Sequence, residues 1–414
     1  MRILWVKAGG LLPLDSGGRI RSYNLVRELG KRHRMTFFGF HAQQDNAAHT
    51  ELESICERVV CFPLELPRPR SAAEVWQYVS GIASRQPYNI RKYFRPQIAA
   101  QLRALLEKEA YDVVVCDFAI AASVIPWDVS CPKVLFTHNV EATIWKRHYE
   151  VASNPLWKLL SWREWRAMER SENEYLKKAD VVIAVSKADR DVFSRLIPAE
   201  KLAVIPTGVD IDFFQPMPAE EQENTLVFTG SMDWLPNEDG MFYFVEEILP
   251  RISQQFPAVK LMVVGRKPSR RLKVLAAGNP AIELTGWVND VRPYLARGSV
   301  CIVPLRVGSG TRLKIFEAMS MGKAVVSTTI GAEGLPVKSG SDILLADSPE
   351  DFATCAIKLL REKALRQRLG AAARNLVESR FSWSSVAAEF EAALRRCATV
   401  ADPTPETLPT SVPQ

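Results

Sequence analysis

The chain has 414 residues, 47% of them hydrophobic, which is enough for about two domains that each bury a core. No apolar run reaches the roughly 18 residues of a membrane-spanning helix, and the run at residues 3–6 is too short for a signal peptide, so we expect a cytoplasmic protein. The net charge of +6 is too small to indicate nucleic-acid binding, and the seven scattered cysteines lack the spacing of a disulfide framework or a zinc site.

The first half of the chain is predicted to form an α/β domain. An apolar run at residues 2–6 is followed by a glycine-containing loop and by a helical pattern over residues 20–29, which indicates a strand, a loop and a helix. Stretches long enough for helices separate the further β-type runs, which lie at 35–40, 111–116, 133–137 and 181–185. Strands alternating with helices favour a parallel sheet.

A change of composition marks a domain boundary. Residues 215–223 are rich in proline and acidic side chains and show no apolar periodicity, so we place the boundary after residue 206. The alternation then resumes, with strands predicted at 225–229, 259–264, 300–305 and 324–328 and with helical segments at 349–380 and 382–396. The second half is therefore another α/β domain, and the Pro- and Thr-rich tail after it is predicted to be disordered.

A glycine-rich turn stands between the strand at 300–305 and a helix predicted over 312–321, which Gly322 ends before the next strand. In open α/β sheets ligands bind beyond the carboxyl ends of the strands, where a helix offers unpaired N–H groups and about half a unit of positive charge. The turn supplies glycines for close approach, hydroxyls for capping and two cations; these are Gly308, Ser309, Gly310, Thr311, Arg312 and Lys314. We expect it to bind a diphosphate.

Glu317 lies in the same predicted helix, on the side of Leu313 and Phe316, so its carboxylate is expected among apolar groups. A buried carboxylate needs hydrogen-bond donors, and the two adjacent hydroxyls of a ribose can supply them. The alternative is an i, i+3 ion pair with Lys314. The preceding glycine turn favours the ligand.

Residues 310–319, with Gly322 and the strand that follows, resemble the carboxyl-terminal domain of the retaining GT-B glycosyltransferases of family 4. Further segments support the resemblance; they are Val-Ile-Pro-Thr-Gly-Val-Asp at 204–210, Leu-Thr-Gly-Trp-Val at 284–288, Phe-Ser-Trp at 381–383, the Gly17-Gly18 loop and Thr-His-Asn at 137–139. The resemblance implies an α/β fold of the GT-B type, with two Rossmann-like domains facing each other across a cleft. It also implies a nucleotide-diphosphate sugar as co-substrate and no metal or other cofactor.

The resemblance also gives the parts of the chain their roles. It implies an acceptor-side domain over residues 1–206 and a nucleotide-sugar-binding domain over 207–380. A closing helix over 381–398 is expected to pack back toward the amino-terminal domain, and the disordered tail covers 399–414.

Two departures from the family pattern concern the donor. Glu317 matches the second glutamate of the family's E-x7-E pattern, which implies the ribose contact, whereas Ser309 stands where the first glutamate contacts the donor sugar. The family's Arg and Lys after the first strand of this domain are missing from residues 230–238, although Gly230 remains a predicted donor contact. Our hypothesis is that Arg312 and Lys314 take over the diphosphate.

His138 follows the strand at 133–137 and so is expected at the carboxyl edge of the first sheet. The resemblance implies that it contacts the donor sugar and is catalytic; from the residues alone, a structural hydrogen-bonding histidine is the alternative. Glu141 either orients His138 or an acceptor hydroxyl, or is the exposed start of a helix. Gly17 and Gly18 either cradle a phosphate or form a tight loop, and they do not complete the G-x-G-x-x-G pattern of a dinucleotide site.

Four tryptophans, interleaved with basic residues, lie between positions 145 and 170. This composition suits a membrane interface, and the alternative is a helix that packs on its own domain. The basic and aromatic segment at 68–95 either borders the acceptor site or is a solvated insertion.

The expected activity is transfer of a hexose-type unit, with retention, to a hydroxyl of a glycan, lipid-linked or small-molecule acceptor in polysaccharide or glycoconjugate biosynthesis. A peripheral contact with the inner face of the membrane is part of this expectation. The alternatives are a catalytically silent sugar-nucleotide-binding protein and a GT-B epimerase or phosphorylase, because a fold does not fix a reaction. The absent glycine fingerprint disfavours a nicotinamide dehydrogenase.

Overall fold

The computed structural model describes residues 1–14, 16–41, 46–68, 71–152, 154–218, 221–307 and 313–400. The chain divides into two compact units. The first comprises Met1–Ile205 together with the segment from Ala387 onward, and the second comprises Pro206–Val386.

The first unit is built on a parallel sheet with the strand order β3-β2-β1-β4-β5-β6-β7. Its strands are β1 Arg2–Ala8, β2 Arg34–His41, β3 Arg58–Pro63, β4 Val113–Asp117, β5 Lys133–Phe136, β6 Val181–Ala184 and β7 Leu202–Val204. The central strands are continuous apolar runs, and β4 is buried along its whole length. Such runs form strands that are covered on both faces, as in a parallel sheet with helices on both sides.

Helices connect these strands. They are α1 Gly17–Gly30, α2 Asn46–Ile55, α3 Ala72–Val79, α4 Tyr88–Arg91, α5 Pro96–Lys108, α6 Glu141–Val151, α7 Pro155–Lys178 and α8 Lys187–Phe193, with short 3₁₀ turns at Ala121–Val124 and Ala199–Lys201. Several begin at a side-chain cap: Ser71, Asn154 and Ser186 each accept a backbone N–H from the first turn of α3, α7 and α8.

The second unit has a second parallel sheet, in the order β10-β9-β8-β11-β12-β13. Its strands are β8 Thr225–Thr229, β9 Lys260–Val264, β10 Ile282–Gly286, β11 Val300–Val303, β12 Val325–Ser327 and β13 Leu344–Leu345. Its helices are α9 Leu235–Tyr243, α10 Leu249–Gln255, α11 Arg270–Ala277, α12 Arg292–Arg297, α13 Leu313–Ser320, α14 Pro349–Arg361 and α15 Lys363–Arg380, with a π-helical turn at Phe244–Ile248. Strand β11, helix α13 and strand β12 form the predicted βαβ unit, because β11 and β12 pair in parallel.

The last helix, α16 Trp383–Val400, begins in the second unit and continues into the first. At its start, a Cβ added to Gly208 would lie 2.6 Å from the Trp383 ring, and the Val209 amide donates to the Phe381 carbonyl at 2.8 Å. Two of the segments that carry the family resemblance therefore touch within the second unit. Further along, Phe390 stacks on Trp5 of β1 at 5.6 Å.

The strands predicted from periodicity are confirmed with small shifts of their ends, and Gly322 ends α13 with a φ of +69°. Strands β3, β7, β10 and β13 were not predicted. Within the described part of the chain, no helix is both long enough and apolar enough to cross a membrane. Of the tail predicted at 399–414, the first two residues end α16 and the others lie outside the described residues.

Candidate active site

His138 lies just beyond β5, and Asp117 ends the neighbouring strand β4. Because the two strands are parallel, both side chains emerge at the same carboxyl edge of the sheet. The imidazole Nε2 and the carboxylate Oδ1 are 2.7 Å apart, and the two side chains are 8% and 0% exposed. Asp117 was not among the predicted site residues, although its place at the end of an apolar strand was a usable signal.

Two side chains of strand β1 donate hydrogen bonds to the second carboxylate oxygen of Asp117. Lys7 Nζ donates to Oδ2 at 3.0 Å, and the Trp5 indole N–H donates to the same oxygen at 2.8 Å. Lys7 also donates to the Ser22 hydroxyl at 3.1 Å, which in turn donates to the Gly18 carbonyl at 2.9 Å. Although burial opposes ionisation, Lys7 and His138 hold the pKa of the Asp117 carboxyl well below its usual range.

The imidazole of His138 is enclosed by aromatic rings. The centroids of Phe136 and Phe118 lie 4.6 Å and 5.3 Å from its own. Burial lowers the pKa of His138 to about 4, even though the hydrogen bond to Asp117 favours the charged form. His138 is therefore neutral at pH 7. Phe118 has a φ of +79°, in the left-handed region, and backbone strain of this kind, on the order of 1–3 kcal/mol, concentrates at functional sites.

Gly18 lies against His138. A Cβ added to Gly18 would be 3.8 Å from the imidazole Nδ1, whereas a Cβ on Gly17 would meet nothing within 4 Å. The two glycines open α1, with Ser16 as its N-cap residue. Of the residues predicted for the first domain, the structure thus brings Gly18 and His138 together and leaves open space at Gly17.

Glu141 is the first residue of α6 and is buried, so the alternative that it is an exposed helix start is wrong. Glu172 of α7 accepts the backbone N–H groups of Glu141 and Ala142 at 2.8 Å and 2.9 Å and thereby caps α6. Burial raises the pKa of Glu141 to about 7 and that of Glu172 to about 8. Two carboxyl groups of high proton affinity thus stand at the start of this helix.

In the second unit, the loops after β8 and β9 pack backbone against backbone. A Cβ added to Gly265 would overlap the Gly230 carbonyl oxygen, and a Cβ added to Gly230 would lie 2.6 Å from Lys314 Nζ. The Gly230 amide also donates to the Val264 carbonyl at 2.9 Å. Glycine is required at both positions because the main chains and the Lys314 ammonium converge there.

Lys314, near the start of α13, reaches across to the turn that follows β8. Its Nζ donates to Asn237 Oδ1 at 2.7 Å and lies 4.1 Å from the centre of the Phe228 ring. Asn237 is buried and donates through Nδ2 to the Ser231 carbonyl at 2.8 Å. An ammonium group therefore stands beside Gly230, at the turn from which the family's missing Arg and Lys would project.

Two further cations, Arg266 and Lys267, follow β9 after Gly265 and lie beside the same turn. Arg266 Nε donates to the Ser231 hydroxyl at 2.8 Å, and Lys267 Nζ lies 3.1 Å from Asp233 Oδ2. Their side chains are 48% and 70% exposed. This pair was not predicted, although two basic residues at the carboxyl end of a predicted strand are a recognisable signal.

Glu317 is partly buried on α13, beside Phe316, whose ring stacks on Phe381 at 4.6 Å. Burial raises the pKa of Glu317 to about 7, and the nearby Lys314 opposes the shift. The other predicted members of the glycine turn, Gly308, Ser309, Gly310, Thr311 and Arg312, lie outside the described residues. Among the residues that are described, no cluster of three or more His, Cys, Asp or Glu side chains is arranged to hold a metal ion.

An exposed apolar surface lies elsewhere on the first unit, where Tyr78 of α3 reaches Glu164 of α7. The Glu164 carboxylate accepts the Tyr78 hydroxyl at 3.0 Å, and Arg163 donates to the Ser84 carbonyl at 2.7 Å. Large apolar side chains around this junction face solvent; they are Val75, Trp76, Val79, Ile82, Leu156, Trp157, Leu159 and Trp162. We call this set the α3/α7 surface. The packed-helix alternative holds for Trp145 and Trp165, which are partly buried against the core.

Two α/β units, each built on a parallel sheet, form the architecture of the GT-B glycosyltransferases, and comparison with known proteins agrees. The model of glycosyltransferase family 4 matches residues 16–213, and that of glycosyl transferases group 1 matches residues 223–362. The chain belongs to the family 4-like glycosyltransferases of the GT-B fold.

Solved structures share the fold, and curated proteins are similar in sequence. Anabaena HepE, in a complex with UDP and glucose, has a TM-score of 0.65 at 16% identity over 95% of this chain and 99% of its own. An uncharacterized 44.6 kDa protein in the cps region of Klebsiella pneumoniae is 23% identical over 85% of this chain and 89% of its own. The phosphatidyl-myo-inositol mannosyltransferase of Mycobacterium tuberculosis is 30% identical, but over 45% of this chain and 52% of the enzyme.

Proposed function

We propose that this glycosyltransferase moves a hexose unit from a nucleotide-diphosphate sugar to an acceptor hydroxyl, with retention at the anomeric carbon. The observation that carries the proposal is the convergence of Lys314, Arg266 and Lys267 on the glycine-lined turn after β8. A diphosphate is a ligand that matches several cations gathered where the backbone can approach closely.

Lys314 and Arg266 are the proposed diphosphate contacts in the described part of this site. They come from the elements that follow β11 and β9, the two strands on either side of β8. Arg312 remains part of the same hypothesis. As the bond to the sugar breaks, negative charge grows on the departing diphosphate, and fixed cations stabilise that charge without reorganising.

Glu317 is the proposed ribose contact. The two ribose hydroxyls donate to a carboxylate, and such donors favour its charged form. Because the pKa of Glu317 is about 7 before the ligand binds, donor binding is expected to release a proton from it. His138 is the proposed contact for a sugar hydroxyl in the first unit, with Gly17 and Gly18 leaving room for the ligand.

Relatives support an acceptor in polysaccharide or glycolipid biosynthesis. One lies in a cps region, and another is a mannosyltransferase of phosphatidyl-myo-inositol. We further propose that the α3/α7 surface contacts an anionic membrane that carries a lipid-linked acceptor. Indoles suit the headgroup level of a bilayer, and exposed cations on α6 and α7 suit anionic lipid; these are Lys146, Arg147, Lys158 and Arg166.

Flotation with vesicles tests the membrane contact. The wild type is expected to float with vesicles of phosphatidylglycerol and phosphatidylcholine, and the double variant Trp157→Ser/Trp162→Ser to remain at the bottom. Trp287→Ser is the matched control, because Trp287 is 69% exposed in the second unit. Equal flotation of all three proteins would contradict the contact.

A thermal-shift screen against nucleotide sugars tests the donor, because a ligand that binds the folded state raises the melting temperature. We expect one base and sugar to stabilise the protein more than the others, followed by transfer to added acceptors. Incubation without acceptor separates the alternatives: a new sugar epimer indicates an epimerase. Tight binding with no turnover on any acceptor indicates a silent binding protein.

A further inference from the structure

The hydrogen bond between His138 and Asp117 determines which ring nitrogen is available to a ligand. Nε2 is engaged with Asp117 Oδ1 at 2.7 Å, on the buried side of the ring. Nδ1 lies on the side of Gly18, where an added Cβ would stand 3.8 Å away. A ligand that passes the start of α1 therefore meets Nδ1.

Asp117 also determines where the imidazole proton resides. Its second oxygen accepts from the Lys7 ammonium at 3.0 Å and from the Trp5 indole at 2.8 Å, so the carboxyl group is held as an anion. An ionised carboxylate is an acceptor at both oxygens. Nε2 must then donate, and in a neutral imidazole the other nitrogen is left as an acceptor.

We infer that Asp117, braced by Lys7 and Trp5, is a positioning residue that makes His138 Nδ1 the hydrogen-bond acceptor for a sugar hydroxyl. A hydroxyl donates to such a nitrogen, whereas a phosphate oxygen is itself an acceptor at neutral pH and is repelled. The inference rests on the proposed function in taking the ligand to be a sugar. It adds that this edge of the first sheet binds the hydroxyls and not the diphosphate.

Asp117→Asn tests the assignment because it reverses the hydrogen-bond polarity. Lys7 and Trp5 both donate, so the amide oxygen of the asparagine must face them and its NH₂ group must face His138. Nε2 then accepts, the proton moves to Nδ1, and the acceptor for the hydroxyl is lost. Lys7 and Trp5 keep a hydrogen-bond acceptor, but the buried Lys7 ammonium loses its counter-charge, so the melting temperature of D117N is measured together with its activity.

The first measurement is made on the free protein. Nitrogen-15 NMR of the full chain, whose five histidines are assigned by single substitutions, is expected to show His138 protonated on Nε2 in the wild type and on Nδ1 in D117N. Protonation on Nδ1 in the wild type would overturn the inference even if D117N failed to fold. No donor is needed, so this result is independent of the proposed function.

The second measurement is kinetic and uses the nucleotide sugar that gives the largest stabilisation in the screen. We expect D117N to lower kcat/KM at least about tenfold, the effect of one hydrogen bond of about 1.4 kcal/mol. H138Q and the double variant D117N/H138Q should then be equally slow, because both residues act through one nitrogen. Full activity in D117N with the proton on Nδ1 would refute the acceptor role.

The same variant shows whether the hydroxyl that His138 accepts belongs to the donor sugar or to the acceptor. If it belongs to the donor, D117N weakens binding of the nucleotide sugar but not of the corresponding nucleoside diphosphate. If it belongs to the acceptor, donor binding is unchanged and KM for the acceptor rises. Both results support the inference, and loss of nucleoside diphosphate binding in folded D117N would contradict it.

Discussion

Replacing Lys314 by methionine should weaken donor binding with little effect on the fold. Methionine keeps most of the apolar stem that lies against Phe228 and removes the ammonium beside Gly230. The buried Asn237 oxygen loses the donor that stands 2.7 Å away, at a cost of about 1 kcal/mol, because water can take the place of the partly buried Lys314 ammonium.

The expected loss of donor affinity comes from removing the Lys314 ammonium, which is proposed to donate a hydrogen bond to the diphosphate. A hydrogen bond between charged partners contributes about 1.5–3 kcal/mol, which corresponds to a roughly 10- to 150-fold increase in Kd. Isothermal titration calorimetry with the nucleotide sugar chosen by thermal shift measures this change. The affinity of the wild type should also fall with added salt more steeply than that of Lys314→Met.

Two controls separate the diphosphate contact from a general effect. Lys273→Met removes an exposed lysine from α11 in the same unit and should bind the donor like the wild type. The nucleoside without phosphates should bind Lys314→Met and the wild type equally. If Lys314→Met bound the nucleotide sugar normally, or lost the nucleoside as well, a diphosphate contact at Lys314 would be refuted.

Three other outcomes are expected. Because the pKa of Glu317 is about 7 and the ribose needs the carboxylate, donor Kd should fall as pH rises from 5.5 to 8. Glu317→Gln should bind the donor weakly at every pH. If calorimetry showed the same pH dependence of Kd for the variant and the wild type, the ribose contact would be contradicted. Gly18→Ala places a methyl group 3.8 Å from His138 Nδ1, so its melting temperature should be unchanged or higher while kcat/KM falls; full activity would mean that no ligand passes there. Burial raises the pKa of Glu172 to about 8, so the folded state keeps a proton that the unfolded state has lost, and the free energy of unfolding should fall as pH rises from 5 to 8. In denaturant titrations, the free energy of unfolding of Glu172→Gln should depend less on pH. The same pH dependence in the variant and the wild type would contradict the burial argument.

Much of the architecture could be predicted because the strands of a buried parallel sheet are continuous apolar runs in the sequence. Strands such as β4 and β8 are buried along their whole length, so their sequences are continuous and easily recognised. The four missed strands are the edge strands of the two sheets, where side chains are more exposed to solvent and the apolar pattern is weaker. Strand β13, with two residues, has too few side chains to show a period.

The candidate site was predicted in part, and the limit is physical. Gly18, His138, Lys314 and Glu317 stand beside turns or helix starts, where local sequence carries a signal. The end of strand β4 marks Asp117 as a candidate, but no local pattern reveals its partners Trp5 and Lys7, which lie more than a hundred residues away along the chain. The tryptophan-rich segment likewise left two alternatives open, and the structure separates them: Trp165 is partly buried against the core and Trp162 is exposed.

The departure at the diphosphate, the missing Arg and Lys after β8, has an electrostatic explanation. The turn after β8 has no basic side chain of its own within residues 230–238, yet Lys314 and Arg266 supply positive charge there from the elements after the two flanking strands. A diphosphate responds to the position of charge and not to the strand that provides it. Loss of a motif residue is therefore weak evidence against donor binding when neighbouring strands end at the same edge. Ser309 is different, because a hydroxyl contact to the sugar is directional, and the donor sugar is where this protein is expected to diverge from its relatives.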